Sequence, residues 1–158
     1  MLKKVIERNR TSNEYKEFVE QFISRVTRVN DCNVHSIYIC GSIPKGIAEL
    51  YKSDADFTIV LNTQQSKVER DEIVKIKSDL LNEYPFVTKI DTTVLTVLDV
   101  KNAPLDWGFW IKIICHCIYG MDLGDEVPEI NANSELILSL LSDFEVSINR
   151  IKHKLNSI

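Results

Sequence analysis

Two aspartates separated by one residue, Asp54 and Asp56, open an otherwise apolar segment that ends at Leu61. Side chains two residues apart in a β-strand point to the same face of the sheet, so both carboxylates are expected on one side. Two like charges this close are unfavourable unless a positive charge lies between them. Carboxylate oxygens are suitable ligands for Mg²⁺ or Mn²⁺. The pair therefore indicates a divalent-metal site, and the simpler alternative is a solvated start of a strand.

A third aspartate, Asp91, interrupts a later run of β-branched and apolar residues. In an extended strand it shares a face with Thr93 and Leu95. This position makes it the candidate third carboxylate, and the alternative is a charge that protects an edge strand from aggregation. Asp99 competes for the role, but it lies at the far end of the predicted strand, so Asp91 is preferred.

A glycine–serine turn, Gly41 and Ser42, follows the predicted strand Val34–Cys40. Glycine lets a phosphate approach the main chain closely. Backbone N–H groups at the start of a helix, together with a serine hydroxyl, can bind an anion. We expect a short helix from this turn to Leu50. Taken alone, the pair is more typical of a turn glycine with a capping serine.

The elements that must position these residues are predicted from hydrophobic periodicity. Three segments rich in β-branched residues are predicted strands: Val34–Cys40, Asp54–Leu61 and Val87–Val100. Apolar residues at three- and four-residue spacing predict four longer helices: Asn13 to about Val29, about Gln65 to Glu83, Leu105–Tyr119 and Ser134–Leu155. Gly120 is expected to end the third of these helices, and a loop is predicted over residues 122–133.

This order of elements predicts one sheet with helices packed on it, an α/β or α+β fold. We expect residues 1–103 to form the main domain and residues 104–158 a C-terminal helical extension. A chain of 158 residues with 44% hydrophobic residues can build such a core.

Charge and composition exclude several classes of protein. No apolar run reaches the roughly 18 residues of a membrane span, and the N-terminus lacks the apolar core of a signal peptide. We therefore expect a soluble, cytoplasmic protein. The net charge is −4 and the basic residues are scattered, which argues against binding of long nucleic acid. A small molecule, a protein or a nucleic-acid end fits better.

The four cysteines are Cys32, Cys40, Cys115 and Cys117. We expect buried, reduced thiols. Cys115 and Cys117 are two residues apart on a predicted helix and point to different sides, and structural zinc sites usually space their cysteines by two to four residues, so a zinc site is not expected.

The motifs together resemble the signature of the nucleotidyltransferase superfamily that includes DNA polymerase beta. That signature is a hydrophobic strand, Gly41-Ser42, a spacer of about ten residues, Asp54-Ala55-Asp56, and a carboxylate on a later strand, here Asp91. Pro44-Lys45-Gly46 stands where many members have Ala-Arg-Gly. The resemblance covers about Val34 to Val100, and the segment Tyr119–Leu123 looks like one found in antibiotic-modifying members.

The resemblance implies a two-metal site and a triphosphate site. Asp54, Asp56 and Asp91 would ligate two Mg²⁺ (or Mn²⁺) ions roughly 3.5–4 Å apart. Gly41, Ser42 and Lys45 would bind the phosphates, although lysine lacks the bidentate fork of the usual arginine. Asp91 would also help to activate the acceptor hydroxyl. The implied reaction transfers a nucleoside monophosphate, AMP from ATP, to a hydroxyl of a small molecule or a protein.

Two alternatives stay open. Short bacterial proteins of this superfamily occur as antitoxins that bind, and in some cases AMPylate, a helical toxin. The predicted helices after Pro104 could form an interface with such a toxin or with a second copy of the chain. The other alternative is a protein that keeps the fold without the activity, against which the intact set of three acids argues.

Overall fold

The computed structural model describes residues 13–30 and 33–130. These residues include three α-helices: α1 (Asn13–Asn30), α2 (Lys67–Glu83) and α3 (Val97–Asn102). Four strands form one sheet: β1 (Val34–Cys40), β2 (Ala55–Leu61), β3 (Ile90–Thr96) and β4 (His116–Gly120). Two π-helical segments, Pro104–Gly108 and Trp110–Ile114, precede β4, and a 3₁₀ turn, Leu123–Asp125, follows it.

The sheet is mixed, with the strand order β3-β2-β1-β4. β1 pairs antiparallel with both β2 and β4, whereas β2 and β3 are parallel. The parallel register aligns Asp56 with Asp91. The ends that carry these two residues therefore meet at one edge of the sheet, beside the end of β1. The predicted α/β architecture, a mixed sheet flanked by helices, is confirmed.

Successive side chains of β1 point to opposite faces of the sheet and belong to two different hydrophobic clusters. Ile37 and Ile39 of β1 belong to the cluster that contains buried residues of α1 and α2. Tyr38 and Cys40 belong to the other, which contains Phe109, Ile111, Cys115 and Leu123. The sheet is therefore covered on both faces, by α1 and α2 on one side and by the segment after β3 on the other.

Two predicted elements end earlier than expected. The strand predicted over Val87–Val100 is β3 only to Thr96, after which α3 begins. Thr96 caps α3 by accepting a hydrogen bond from the Asp99 N–H, while the Asp99 side chain accepts from the Thr96 N–H. This capping box satisfies two backbone donors that the first turn of a helix would otherwise leave unpaired. Asp99, the competing third carboxylate, is thereby explained as a helix cap.

The helix predicted over Leu105–Tyr119 is wrong in its second half. Helical structure stops at Ile114, Cys115 is extended, and β4 pairs with β1. Gly120 ends a strand rather than a helix, with φ of 77°. A Cβ at this position would lie 2.1 Å from the carbonyl oxygen of His35, so the close approach of two backbones requires glycine here.

The remaining predicted elements are a short helix after Gly41, the last helix of the chain and the domain boundary. The helix predicted from Ser42 to Leu50 is absent, and residues 42–46 form turns instead. The predicted helix Ser134–Leu155 lies outside the described residues. The division of the chain at residues 103 and 104 stays a prediction, and β4, which belongs to the sheet, lies beyond it. No helix within residues 13–30 and 33–130 has the length and apolar character needed to cross a membrane.

The expectation of reduced thiols is wrong for two cysteines. Cys40 and Cys115 form a disulfide with their Cα atoms 4.5 Å apart. The pairing follows from β4, because a helix over residues 105–119 would not have aligned Cys115 with the end of β1. Cys117 lies outside the disulfide, and Cys32 is not among the described residues.

Candidate active site

Three carboxylates converge at the edge where β2 and β3 begin. Asp54 precedes β2, Asp56 is its second residue, and Asp91 is the second residue of β3. One ligand atom from each side chain lies within 4.8 Å of the others. Parallel pairing of the two strands produces this arrangement, because it places Asp56 directly beside Asp91. The structure thus brings together the three acids singled out in the sequence.

The acids differ in their surroundings. Asp54 is exposed, while Asp56 and Asp91 are partly buried. Burial raises the pKa of Asp56, and the charges of Asp54 and Asp91 raise it further, whereas the Lys89 ammonium opposes this shift. The site therefore accumulates negative charge that a cation would relieve.

Lys89 is a charged residue of the site that the sequence analysis did not single out. Its Nζ lies 2.6 Å from Asp91 Oδ2. The hydrogen bond and charge of Asp91, followed by the charges of Asp54 and Asp56, raise the pKa of the lysine. A signal was present, because Lys89 is two residues before Asp91 and so shares its face in an extended chain.

The Gly41–Ser42 turn lies against the acids. Gly41 has φ of 81°, a left-handed conformation that glycine adopts readily. A Cβ at Gly41 would lie 3.1 Å from Asp56 Oδ2, so the carboxylate packs directly against this backbone. The turn is closed by hydrogen bonds from the Ile47 N–H to the Ser42 carbonyl and from the Gly46 N–H to the Ile43 carbonyl. A sharp turn takes the place of the predicted helix, and no helix dipole contributes here.

Lys45, Trp107 and Trp110 were also considered from the sequence, and they differ in exposure and contacts. Lys45 is exposed on the turn, and no hydrogen bond or ion pair joins it to the acids among residues 13–30 and 33–130. Trp107 is 37% exposed. Trp110 donates a hydrogen bond from Nε1 to Thr58 Oγ1, two residues along β2 from Asp56. Trp110 thereby fixes the π-helical segment to the sheet face that carries the acids, a contact that the sequence did not predict.

The donor set fits a divalent metal of the Mg²⁺ class. Three carboxylates within 4.8 Å of one another supply the hard oxygen ligands that Mg²⁺ and Mn²⁺ prefer. Burial, followed by the like charges of Asp54 and Asp91, raises the pKa of Asp56, and a bound cation would offset the repulsion among the three carboxylates. Asp54, Asp56 and Asp91 are therefore the residues that could hold metal.

The sequence matches no protein-family model and no curated protein. Among solved structures, the spectinomycin adenyltransferase AAD(9) from Enterococcus faecialis, with ATP and spectinomycin, is similar with a TM-score of 0.56 and 14% identity. The match covers 73% of this chain and 60% of that chain, so this chain matches less than two thirds of that protein.

A second similar structure is that of the tri-AMPylated Shewanella oneidensis HEPN toxin in complex with the MNT antitoxin. The match has a TM-score of 0.44 and 14% identity, and covers 90% of this chain and 98% of that chain. The similarity to the adenyltransferase shows that this chain has a nucleotidyltransferase-type fold.

Proposed function

We propose that this protein transfers a nucleoside monophosphate from a nucleoside triphosphate, AMP from ATP, to a hydroxyl group. One observation carries the proposal: Asp54, Asp56 and Asp91 converge within 4.8 Å while Asp56 packs against the Gly41 backbone. A phosphate turn next to a cluster of metal-binding acids is the arrangement that phosphoryl chemistry requires. The nucleotidyltransferase-type fold supports the same reaction.

The residues take distinct roles in this reaction. The left-handed Gly41 leaves room for a phosphate beside the main chain, and the Ser42 hydroxyl and backbone N–H groups of the turn donate hydrogen bonds to the phosphate oxygens. Lys45 is exposed on the same turn and adds positive charge for the triphosphate. These groups hold the triphosphate so that its α-phosphate faces the acids.

The acids orient the acceptor and hold the metal. Asp54, Asp56 and Asp91 would ligate Mg²⁺ or Mn²⁺, which supplies charge neutralisation for the attacking and leaving oxygens when bound. Asp91 accepts a hydrogen bond from the acceptor hydroxyl and takes its proton as the bond from that oxygen to the α-phosphorus forms. The bond between the α-phosphorus and the oxygen bridging to the β-phosphate breaks in the same step, and pyrophosphate leaves. Lys89 holds Asp91 through the ion pair at 2.6 Å and so fixes the orientation of its carboxylate. The acceptor hydroxyl belongs to a small molecule or to a protein such as a helical toxin.

Transfer of label from α-labelled ATP tests the proposal. The purified protein is incubated with Mg²⁺ and two sets of acceptors: aminoglycoside and aminocyclitol antibiotics, and the proteins encoded by the neighbouring genes. We expect label to reach an acceptor from α-labelled but not from γ-labelled ATP, and we expect EDTA to abolish the transfer.

Variants assign the reaction to the site. Asp54→Asn and Asp56→Asn keep the side-chain shape and remove a charge, so each is expected to lower transfer by at least about 100-fold. Asp71→Asn is the matched control, because Asp71 is an exposed acid of α2 on the opposite face of the sheet. Full transfer in the Asp54 and Asp56 variants would contradict the assignment.

A further inference from the structure

The Cys40–Cys115 disulfide lies at the end of a strand pair that borders the candidate site. Ile39 of β1 pairs with His116 of β4, and the two cysteines follow and precede this pair by one residue. The disulfide therefore adds a covalent link where the hydrogen-bonded ladder between β1 and β4 stops. Both side chains are buried, Cys40 with 3% and Cys115 with 0% exposure.

On one side, the disulfide is connected to the Gly41–Ser42 turn and to Asp56. Cys40 is bonded to Gly41 through the main chain, and across the sheet it pairs with Asp56. The Asp56 carboxylate packs against Gly41 at a distance that leaves little room, since a Cβ there would lie at 3.1 Å. A displacement of the Cys40–Gly41 backbone by a few tenths of an ångström therefore changes the surroundings of Asp56.

On the other side, the disulfide is connected to the segment that covers this sheet face. The Cys115 N–H donates a hydrogen bond of 3.0 Å to the Trp110 carbonyl. Trp110 in turn donates to Thr58 Oγ1, and Thr58 lies on the same face of β2 as Asp56. The disulfide thus joins the Gly41–Ser42 turn, which packs against Asp56, to the Trp110 segment, which is hydrogen-bonded to β2 two residues from Asp56.

We propose that the Cys40–Cys115 disulfide positions the Gly41–Ser42 turn and makes the affinity for the triphosphate depend on thiol redox state. This inference rests on the proposed function of the turn. With the disulfide formed, the turn is held against Asp56 before the nucleotide binds. With two thiols, the residues beyond the last β1–β4 pair gain freedom, and binding must order them at a cost in affinity.

The redox step is ordinary thiol–disulfide exchange. A dithiol reductant such as dithiothreitol supplies two electrons, its own sulfurs become a cyclic disulfide, and Cys40 and Cys115 each gain a proton as thiols. In the reverse direction, oxidised glutathione accepts the two electrons, and two molecules of reduced glutathione leave as the protein disulfide forms. Because both cysteines are buried, exchange requires local opening of this end of the sheet.

Cys117 provides the matched control. It is two residues from Cys115, belongs to β4 and lies outside the disulfide. Replacing it removes a thiol from the same strand without breaking the link to Cys40. All proteins in the experiment carry Cys32→Ser, so that the remaining cysteines are those of the sheet.

The experiment measures the Kd of a nonhydrolysable ATP analogue with Mg²⁺ by calorimetry, and the melting temperature without ligand. Protein is prepared oxidised with glutathione disulfide or reduced with dithiothreitol, and alkylation with mass spectrometry verifies each state. We expect reduction to weaken binding about fivefold, the size expected when a short turn must be ordered on binding. Cys115→Ala is expected to show the weaker Kd in both conditions, and Cys117→Ala to respond as the parent protein does.

Two outcomes would overturn the inference. Equal Kd values for the oxidised and reduced parent protein, with a change only in melting temperature, would show that the disulfide has a merely structural role. A parent protein that contains no Cys40–Cys115 disulfide after oxidation would also overturn it. If Cys115→Ala does not fold, the Kd values of the oxidised and reduced parent protein still test the inference. Absence of triphosphate binding in both states would contradict the proposed function itself, whereas equal binding contradicts only this inference.

Discussion

Replacing Gly41 by alanine tests how closely the Gly41–Ser42 turn and the acids are coupled. Gly41 has φ of 81°, where a residue with a Cβ is strained. The added Cβ would lie 3.1 Å from Asp56 Oδ2, tighter than an ordinary contact, so the carboxylate has to move by a few tenths of an ångström. The substitution therefore affects both stability and the geometry of the site.

The two effects have different magnitudes. A left-handed alanine costs about 1–2 kcal/mol, and the reduced freedom of the unfolded chain returns about 0.4–1 kcal/mol. We expect a net loss of about 1 kcal/mol in the free energy of unfolding. The displaced Asp56 carboxylate would hold the metal and its triphosphate less well. Disturbing the partners of a metal ligand costs about 10- to 100-fold in affinity, so we expect triphosphate binding to weaken about tenfold.

Gly46→Ala is the control that separates the backbone strain of a left-handed alanine from the contact between the new Cβ and Asp56. Gly46 lies in the same turn and has φ of 68°, so its substitution is expected to cost a similar free energy of unfolding. Urea denaturation gives the stability of both variants, and calorimetry gives the Kd of a nonhydrolysable ATP analogue with Mg²⁺. We expect the tenfold loss only in Gly41→Ala. Equal Kd values for the two variants would refute the argument that the Gly41 backbone positions Asp56.

Two further predictions concern stability. Asp99→Ala removes one half of the capping box of α3, the side-chain acceptor of the Thr96 N–H, and is expected to cost about 1 kcal/mol at neutral pH. Hydrogen bonds from the Thr96 N–H and hydroxyl hold the pKa of Asp99 below its usual range, so this stabilisation is present above the unfolded-state pKa and is lost as the pH falls through the folded-state pKa. Urea denaturation at pH 7 and about pH 3 checks this, and an equal difference between variant and parent at both pH values would contradict it. Tyr38→Phe leaves the Leu123 N–H without the acceptor that it reaches at 2.7 Å, which is expected to cost about 1–3 kcal/mol. Tyr119→Phe, a half-exposed tyrosine of β4, is the control, and equal thermal stability of the two variants would count against this role of Tyr38.

Elements with long, regular patterns were predictable from the sequence. The helix predicted from Asn13 to about Val29 is α1, and that from about Gln65 to Glu83 is α2, because each spans several turns of three- and four-residue apolar spacing. The three aspartates were also identifiable, since a charge inside an apolar strand is unusual. Their meeting depended on parallel pairing of β2 and β3, which only the fold establishes.

The errors over β4 and over the cysteines have one physical cause. β4 is a five-residue strand that follows a helical segment within one apolar run, and over so few residues a buried strand and a buried helix have the same pattern. Pairing with β1, more than 70 residues earlier in the chain, decides between them. The error extended to the cysteines, because a helix would have separated Cys115 from Cys40. The end of β3 was readable from the Thr96–Asp99 capping box, but the β-branched residues around it favoured a longer strand.

The most direct test of the proposed two-metal site is a crystal structure with Mn²⁺ and a nonhydrolysable ATP analogue, in which anomalous scattering locates the metal. We predict anomalous peaks within coordination distance of Asp54, Asp56 and Asp91, with the triphosphate hydrogen-bonded to the Gly41–Ser42 turn. Triphosphate bound elsewhere, or no anomalous peak at the three aspartates, would contradict the account.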